Sequence, residues 1–390
     1  MMFNIGFYIV VPFLAVYMSQ DLKAGGALIG LVLGVRTFSQ QGMFFVGGAL
    51  SDRFGVRTML LTGMLIRVVG FLVAGFSSSV ATLMVGVILI GFAAALFSPA
   101  AEAALAYSAT TMRLPMPRSQ LFALDNLAGR MGALLGPVIG AVLIPFGFAV
   151  VCVVGALIFL ALFCAHAYVI PPIQTPRNGN ILQGFGEVIR NKLFLTFALG
   201  YSGMLVAYNQ QYLSLPTELQ RATGNEDALG WMFVFASLLN VSLQMQIVHL
   251  TQSWKRTKSL VVAFSSMALG FGIIAIAAPL EPLSGFWALL PALLMLVFLH
   301  VGQMVGAPHA RDLVGLIAEE RHLGTYFGVL NSFGGFAVLV SSVIIGHTLE
   351  NADTPQLAAA TPWALLVVLM LLGAALTAVV ARRVPLSNSE

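Results

Sequence analysis

Gly47-Gly48-Ala49-Leu50-Ser51-Asp52-Arg53-Phe54-Gly55-Val56-Arg57 is a charged turn set between two apolar runs. The run before it, roughly 27–50, and the run after it, roughly 58–76, each supply the ~20 residues that a helix needs to cross a bilayer. Similar runs recur along the whole chain, at roughly 3–19, 81–107, 122–146, 148–170, 193–217, 228–250, 258–279, 286–307, 324–348 and 362–381, which predicts twelve spans. No segment of about ten residues alternates in the manner of a membrane β-strand, so a β-barrel is not expected. The fold class read from the sequence is all-α integral membrane.

Composition agrees. Of 390 residues, 59% are hydrophobic and 9% are charged, against about 25% charged in a soluble domain. That little charge cannot cover the surface of a soluble enzyme, a disordered chain or a coiled coil. The outer surface is expected to face membrane lipids. The net charge of +4 is too small for a nucleic-acid footprint, so no nucleic-acid partner is expected. Cys152 and Cys164 share one apolar run, which argues against a disulfide framework or a thiolate metal site. The chain has no P-loop, G-x-S-x-G, H-E-x-x-H or CxxC motif. An enzyme is not expected, nor any cofactor or metal, nor transport driven by the chain's own ATP hydrolysis.

The basic residues set the orientation, because cytoplasmic loops collect Lys and Arg. Arg53, Arg57, Arg113, Arg118, Arg177, Arg190, Lys192, Lys255, Arg256, Lys258, Arg311, Arg321, Arg382 and Arg383 fall on one side of the twelve spans. The opposite loops hold Lys23 and Arg221 beside Asp21, Glu218, Glu226, Asp227, Glu281, Glu350 and Asp353. Both termini are therefore expected in the cytoplasm. The first span lacks the basic flank of a signal peptide. It starts almost at Met1, is short and contains Pro12, so the expectation is that either part of the first helix is missing or the protein tolerates a short one. The loop 171–192 carries Pro171, Pro172, Pro176, Gly179 and Asn180, which is linker chemistry. It divides the chain into 1–170 and 193–390, two halves of six helices.

The turn at 47–57 resembles the loop 2–3 motif of the major facilitator superfamily, G-x-L-a-D-r-x-G-r-k, at Gly48, Leu50, Asp52, Arg53, Gly55 and Arg57. In that family the motif latches the two halves in the outward-facing state, which the resemblance assigns here to Gly48, Asp52, Arg53, Gly55 and Arg57. The equivalent loop of the second half, Thr251–Lys258, keeps basic charge but has lost the glycines and the acid. Span 5 holds Gly132-Ala133-Leu134-Leu135-Gly136-Pro137-Val138-Ile139-Gly140-Ala141. It resembles the family's antiporter motif, g-x-x-x-G-P-x-x-G-G, except that Ala141 replaces the last glycine. Gly132, Gly136 and Gly140 are expected to form a flat seam for another helix, and Pro137 to bend the helix. A generic packing seam is the plainer reading. Residues 34–42 and 62–67 add a likeness to bacterial multidrug-resistance transporters of the MdtH type, strongest over roughly the first 170 residues.

The resemblance implies a major facilitator fold of two pseudo-symmetric six-helix halves. It also implies a monomeric drug:proton antiporter that exports a small-molecule substrate in exchange for protons by alternating access. A dedicated exporter of one secreted metabolite, such as a siderophore, keeps the fold and changes the cargo. An uptake symporter and a non-transporting sensor fit less well.

Charge inside the membrane is costly and marks function. Arg36 and Gln40, four residues apart, share a helix face and are read as cavity-facing. Tyr208, Asn209, Gln211, Asn240, Gln244, Gln303 and Asn331 are candidates for the rest of the substrate lining. His300 and His309 read as packing residues. Glu102, Asp125, Arg130 and Arg67 are candidates for a proton or gating network, with Glu102 and Asp125 the best acids on position.

Overall fold

A computed structural model describes residues 1–111, 118–169, 181–318 and 323–384. Among them the regular structure is helical: α1 (Met2–Tyr8), α2 (Leu14–Gln20), α3 (Gly26–Thr37), α4 (Phe44–Phe54), α5 (Val56–Gly75), α6 (Val80–Thr111), α7 (Arg118–Leu143), α8 (Phe148–Val169), α9 (Ile181–Arg190), α10 (Lys192–Thr223), α11 (Leu229–Thr251), α12 (Arg256–Ala277), α13 (Leu290–Ile317), α14 (Leu323–Leu349) and α15 (Thr361–Arg383). Among the described residues, ten stretches are long and apolar enough to cross a membrane. Segment 26–54 and α10 are the other two long helical segments, which brings the number to twelve.

The departures from regular spans have local causes. Pro12 lies in a 3-10 turn, Val11–Phe13, which separates α1 from α2, because proline cannot donate the helical bond. A π-turn, Phe38–Gly42, separates α3 from α4. The linker expected at 171–192 contains a helix, α9; its stretch 170–180 lies outside the described residues, as do Arg113 and Arg321. Glu218 and Arg221 were expected in an outer loop. Instead α10 continues through both, and they are buried and paired at 2.8 Å. An i,i+3 pair neutralises itself, which lets the helix stay buried beyond its apolar part.

The chain forms two units, one of residues 1–24 and 35–179, the other of 25–34 and 180–390. In the first, α5 packs on α6 and α8. Gly63 and Gly70 let α5 approach α6, since a Cβ at either would meet α6 atoms at 2.9 Å. In the second, α12 packs on α13 and α15, and α10 on α14 and α15. Phe194, Phe197, Leu260, Leu313, Tyr326 and Val380 share one buried cluster there. Asn191 ties the entry of α10 to it: its Oδ1 accepts from Phe194 N at 3.0 Å and its Nδ2 donates to Tyr326 Oη at 3.2 Å.

Candidate functional site

The first unit places two cations around one ring. Arg36 is the penultimate residue of α3, two residues before the π-turn begins at Phe38, and such a turn frequently accompanies functional sites. Its guanidinium donates to Thr37 Oγ1 at 2.9 Å and to Gln40 Oε1 at 3.4 Å, so the shared face of Arg36 and Gln40 is realised. Arg67, midway along α5, is 2% exposed. It donates to Ile90 O at 2.8 Å and sits over Phe97 at 4.9 Å, Phe159 at 5.1 Å and Phe7 at 5.3 Å. Arg36 lies over Phe7 at 5.6 Å. Three ring faces offer negative electrostatic potential to a guanidinium that is out of water. Arg67 Nε has no hydrogen-bond partner among the described residues.

The turn at 47–57 is built around Gly55, whose φ of +87° favours a residue without a Cβ. Arg57 Nη2 donates to Ala167 O in the last turn of α8, at 2.7 Å, where a cation complements the carbonyl end of a helix. Close approach to α6 occurs at Gly47, where a Cβ would collide with Ala95 O. The surroundings of Gly48, Asp52 and Arg53 lie outside the described residues, as do those of Glu102 and Asp125. Arg130 is half-buried on α7.

The seam on α7 faces α1 and its continuation. A Cβ on Gly132 would strike Met1 O, one on Gly136 would lie 2.6 Å from Tyr8 Cβ, and one on Gly140 would lie 2.5 Å from Phe13 Cε2. Asn4 Nδ2 donates to Gly129 O at 2.9 Å and extends the contact by one turn. Pro137 lies inside α7. A backbone-to-backbone seam with a proline in it is a contact that slides or bends more readily than interlocked side chains.

The second unit gathers several of the polar candidates. Asn240 Nδ2 and His300 Nδ1 are 2.9 Å apart. The Tyr208 ring meets His300 edge-on at 6.3 Å, and the Tyr208 and Tyr212 hydroxyls are 3.4 Å apart. His300 is buried, and its Nε2 has no hydrogen-bond partner among the described residues. The group therefore combines two phenols, an amide and an imidazole nitrogen with bonding capacity to spare. Other candidates do structural work. Asn209 donates to Ser342 Oγ at 3.2 Å, joining α10 to α14. Gln303 donates to Met204 O at 2.7 Å, joining α13 to α10. Gln211 is buried, and its Nε2 is unpartnered among the described residues. Gln244 and Asn331 are half-buried on α11 and α14. His309 bridges Val305 O and Thr251 O through its two ring nitrogens, a packing role as expected.

From the sequence, His300 reads as a packing residue and Tyr212 only as part of the polar stretch 208–212. The Tyr208–Tyr212 spacing of four is a visible signal. The pairing of Asn240 with His300, sixty residues apart on α11 and α13, leaves no local trace. The acid absent from the loop 251–258 is also supplied from elsewhere, because Asp312 of α13 pairs with Arg256. Lys258 lies over Trp254 at 4.0 Å. Among the described residues, no group of three or more His, Cys, Asp or Glu side chains is placed to hold a metal ion.

Among known proteins, an uncharacterised MFS-type transporter of Mycobacterium tuberculosis is 32% identical over 355 residues, 90% of this chain and 84% of that one. Multidrug resistance protein MdtH of Shigella sonnei is 26% identical over 374 residues, covering 94% of this chain and 88% of that one. The solved structure of an auto-inhibited POT family peptide transporter superposes with a TM-score of 0.79 at 16% identity, over 100% of this chain and 96% of that one. At that identity the superposition speaks for the fold alone. A family model described as Major Facilitator Superfamily matches residues 1–342. With its long apolar helices, that match makes this multi-pass membrane chain a transporter rather than an enzyme, and a member of the Major Facilitator Superfamily.

Proposed function

We propose that the chain is a proton-coupled antiporter that exports small lipophilic or amphiphilic compounds by alternating access, with both termini in the cytoplasm. The observation that carries the reading is the α7 seam, in which Gly132, Gly136 and Gly140 meet α1 and the turn after it, with Pro137 inside the same helix. The sequence of that seam resembles the antiporter motif apart from Ala141, and its geometry suits a contact that rearranges without prying side chains apart. The Tyr208–Asn240–His300 group supports the cargo class, since it offers aromatic surface and neutral hydrogen-bonding groups without a fixed charge. The name of the multidrug-resistance relative points the same way. Glu102 and Asp125 remain the acids proposed for proton exchange, with Arg130 as their gating partner. The loop 2–3 residues Gly48, Asp52, Arg53, Gly55 and Arg57 are proposed as the latch, for which the Arg57–Ala167 bond supplies one anchor.

The test is export of a lipophilic dye from proteoliposomes with an imposed proton gradient. Export should stop when a protonophore collapses the gradient. Export that continues without any ion gradient overturns the proposal. A dedicated exporter of one acidic metabolite is the second reading. Arg36 favours it, because a guanidinium held by the neutral groups Thr37 and Gln40 is suited to an anionic cargo. Protection against many unrelated compounds would decide against it.

A further inference from the structure

The second unit holds a cleft of about 530 Å³ among α10, α14 and α15. That volume falls within the about 300–1,000 Å³ usual for small-molecule pockets. Its wall is formed by side chains such as Leu199, Val206, Phe336, Val340, Leu369 and Leu372. Leu199, Phe336 and Leu372 are more than half exposed, so the cleft opens on the outer face of the helices, where hydrocarbon surrounds a membrane protein. Ser202 and Ser341 are the hydroxyls in the wall. Each already donates to a carbonyl three residues back in its own helix, Leu199 O and Val338 O. Behind the cleft, α10 and α15 cross with their backbones close: a Cβ on Gly373 would lie 3.0 Å from Gly200 O. The cleft is therefore apolar, laterally open and floored by glycines.

One end of it is charged. Lys192 begins α10, Arg382 and Arg383 end α15, and all three are exposed. The two ends meet, because Leu193, Phe194, Val380, Ala381 and Val384 belong to one packed cluster. Arg190 adds a further exposed cation from α9, and Glu187 is the acid of that helix. The lining of α10, residues 199–206, and that of α15, residues 369–376, both start seven residues from these cations and end fourteen residues away. At 1.5 Å per residue this is about 10–21 Å, the depth of one leaflet's hydrocarbon.

We propose that this cleft is a binding site for one anionic phospholipid, with an acyl chain in the cleft and the phosphate held by Lys192, Arg382 and Arg383. The spacing of cations above hydrocarbon matches a lipid's own spacing of phosphate above chain. A detergent or a lipophilic cargo molecule would satisfy the apolar wall but leave the cations unused. The proposal requires only that the helices cross a membrane, so it stands apart from proton coupling.

The full chain, purified in detergent, would be titrated with phosphatidylglycerol and with phosphatidylcholine, and bound lipid counted by native mass spectrometry. The expected result is one phosphatidylglycerol retained in preference to phosphatidylcholine. The triple variant Lys192→Gln, Arg382→Gln, Arg383→Gln should lose that preference, by roughly fivefold for each cation removed. Ala337→Trp, which fills the cleft, should weaken both lipids alike. Equal retention of the two lipids by the wild type overturns the proposal, as does an Ala337→Trp protein that keeps its lipid. Displacement by a cargo dye but not by phosphatidylglycerol would make the cleft a cargo site and also overturn it. If Ala337→Trp does not fold, the exposed charge variants still decide the outcome.

Discussion

Arg36 and Arg67 lie over the same ring, with guanidinium carbons 5.6 and 5.3 Å from the centre of Phe7. They differ in what else holds them. Arg67 is enclosed by Phe97 and Phe159 and bonded to a backbone carbonyl of α6. Arg36 is held by short polar groups of its own segment, Thr37 and Gln40. The first arrangement fixes a helix pair. The second ties a cation to the π-turn through Gln40, so a change in the shape of that turn would move the cation.

Arg36→Ala should therefore impair transport without harming the fold. Losing one hydrogen-bonding charge from the transport cycle, at about 1.5–3 kcal/mol, corresponds to a fall of roughly tenfold or more in rate. Repulsion on Arg67 is relieved at the same time, so thermal stability should hold or rise. Dye export from proteoliposomes and melting in detergent measure the two. Normal export would return Arg36 to a structural role.

Phe159→Ala should do the reverse. Phe159 is fully buried against Phe71, Phe97 and Arg67. Emptying such a position costs about 3–5 kcal/mol, with about 0.5–2 kcal/mol more for the lost cation–π contact. Unfolding should show a marked drop in midpoint, and Phe159→Leu a smaller one. A melting curve unchanged by Phe159→Ala would mean that the rings do not hold Arg67.

The twelve spans were legible because span length and hydropathy are local properties of the chain. The turn at Gly55 was legible because its glycine and charges stand at fixed spacing, and the α7 seam because its glycines recur every four residues. What stayed hidden depends on pairing between distant elements. Arg67 reads as a stray membrane charge until Phe7, Phe97 and Phe159 close around it from three other helices. Glu218 and Arg221 read as loop charges because composition cannot tell a self-neutralising buried pair from two solvated ones. His300 reads as a packing residue because its partner Asn240 lies on another helix.

Gly136→Ala tests the seam. Its new Cβ would sit 2.6 Å from Tyr8 Cβ, so α1 and α7 must separate, at about 1–3 kcal/mol for an overpacked contact. Export should fall in parallel with stability. Gly186→Ala on α9 is the control, since nothing lies within 4 Å of its Cβ, and it should be neutral or slightly stabilising. Equal melting points for the two variants would show that the seam tolerates side chains.

Asn240→Ala would remove the partner of His300 Nδ1 and leave a buried imidazole unsatisfied, at about 1–3 kcal/mol. If the group contacts cargo, the apparent KM for export should rise more than the maximal rate falls. A change confined to stability would place Asn240 and His300 among the structural bonds, beside Asn209 and Gln303.

Glu226 gives the turn between α10 and α11 a pH dependence. Burial, and then the neighbouring Asp227, raise its pKa from 4.5 to about 7. A carboxyl whose folded-state pKa is raised stabilises the fold in its protonated form. That contribution is fully present below pH 4.5 and is lost as pH rises through about 7. The melting point should therefore decline across this window in the wild type. Glu226→Gln, which keeps the shape and cannot ionise, should flatten the decline. Asp227→Asn should shift it to lower pH by less, because Asp227 is the smaller cause. Melting curves of the purified protein at pH 4.5, 6 and 7.5 suffice, and a decline that persists unchanged in Glu226→Gln would assign it to other groups.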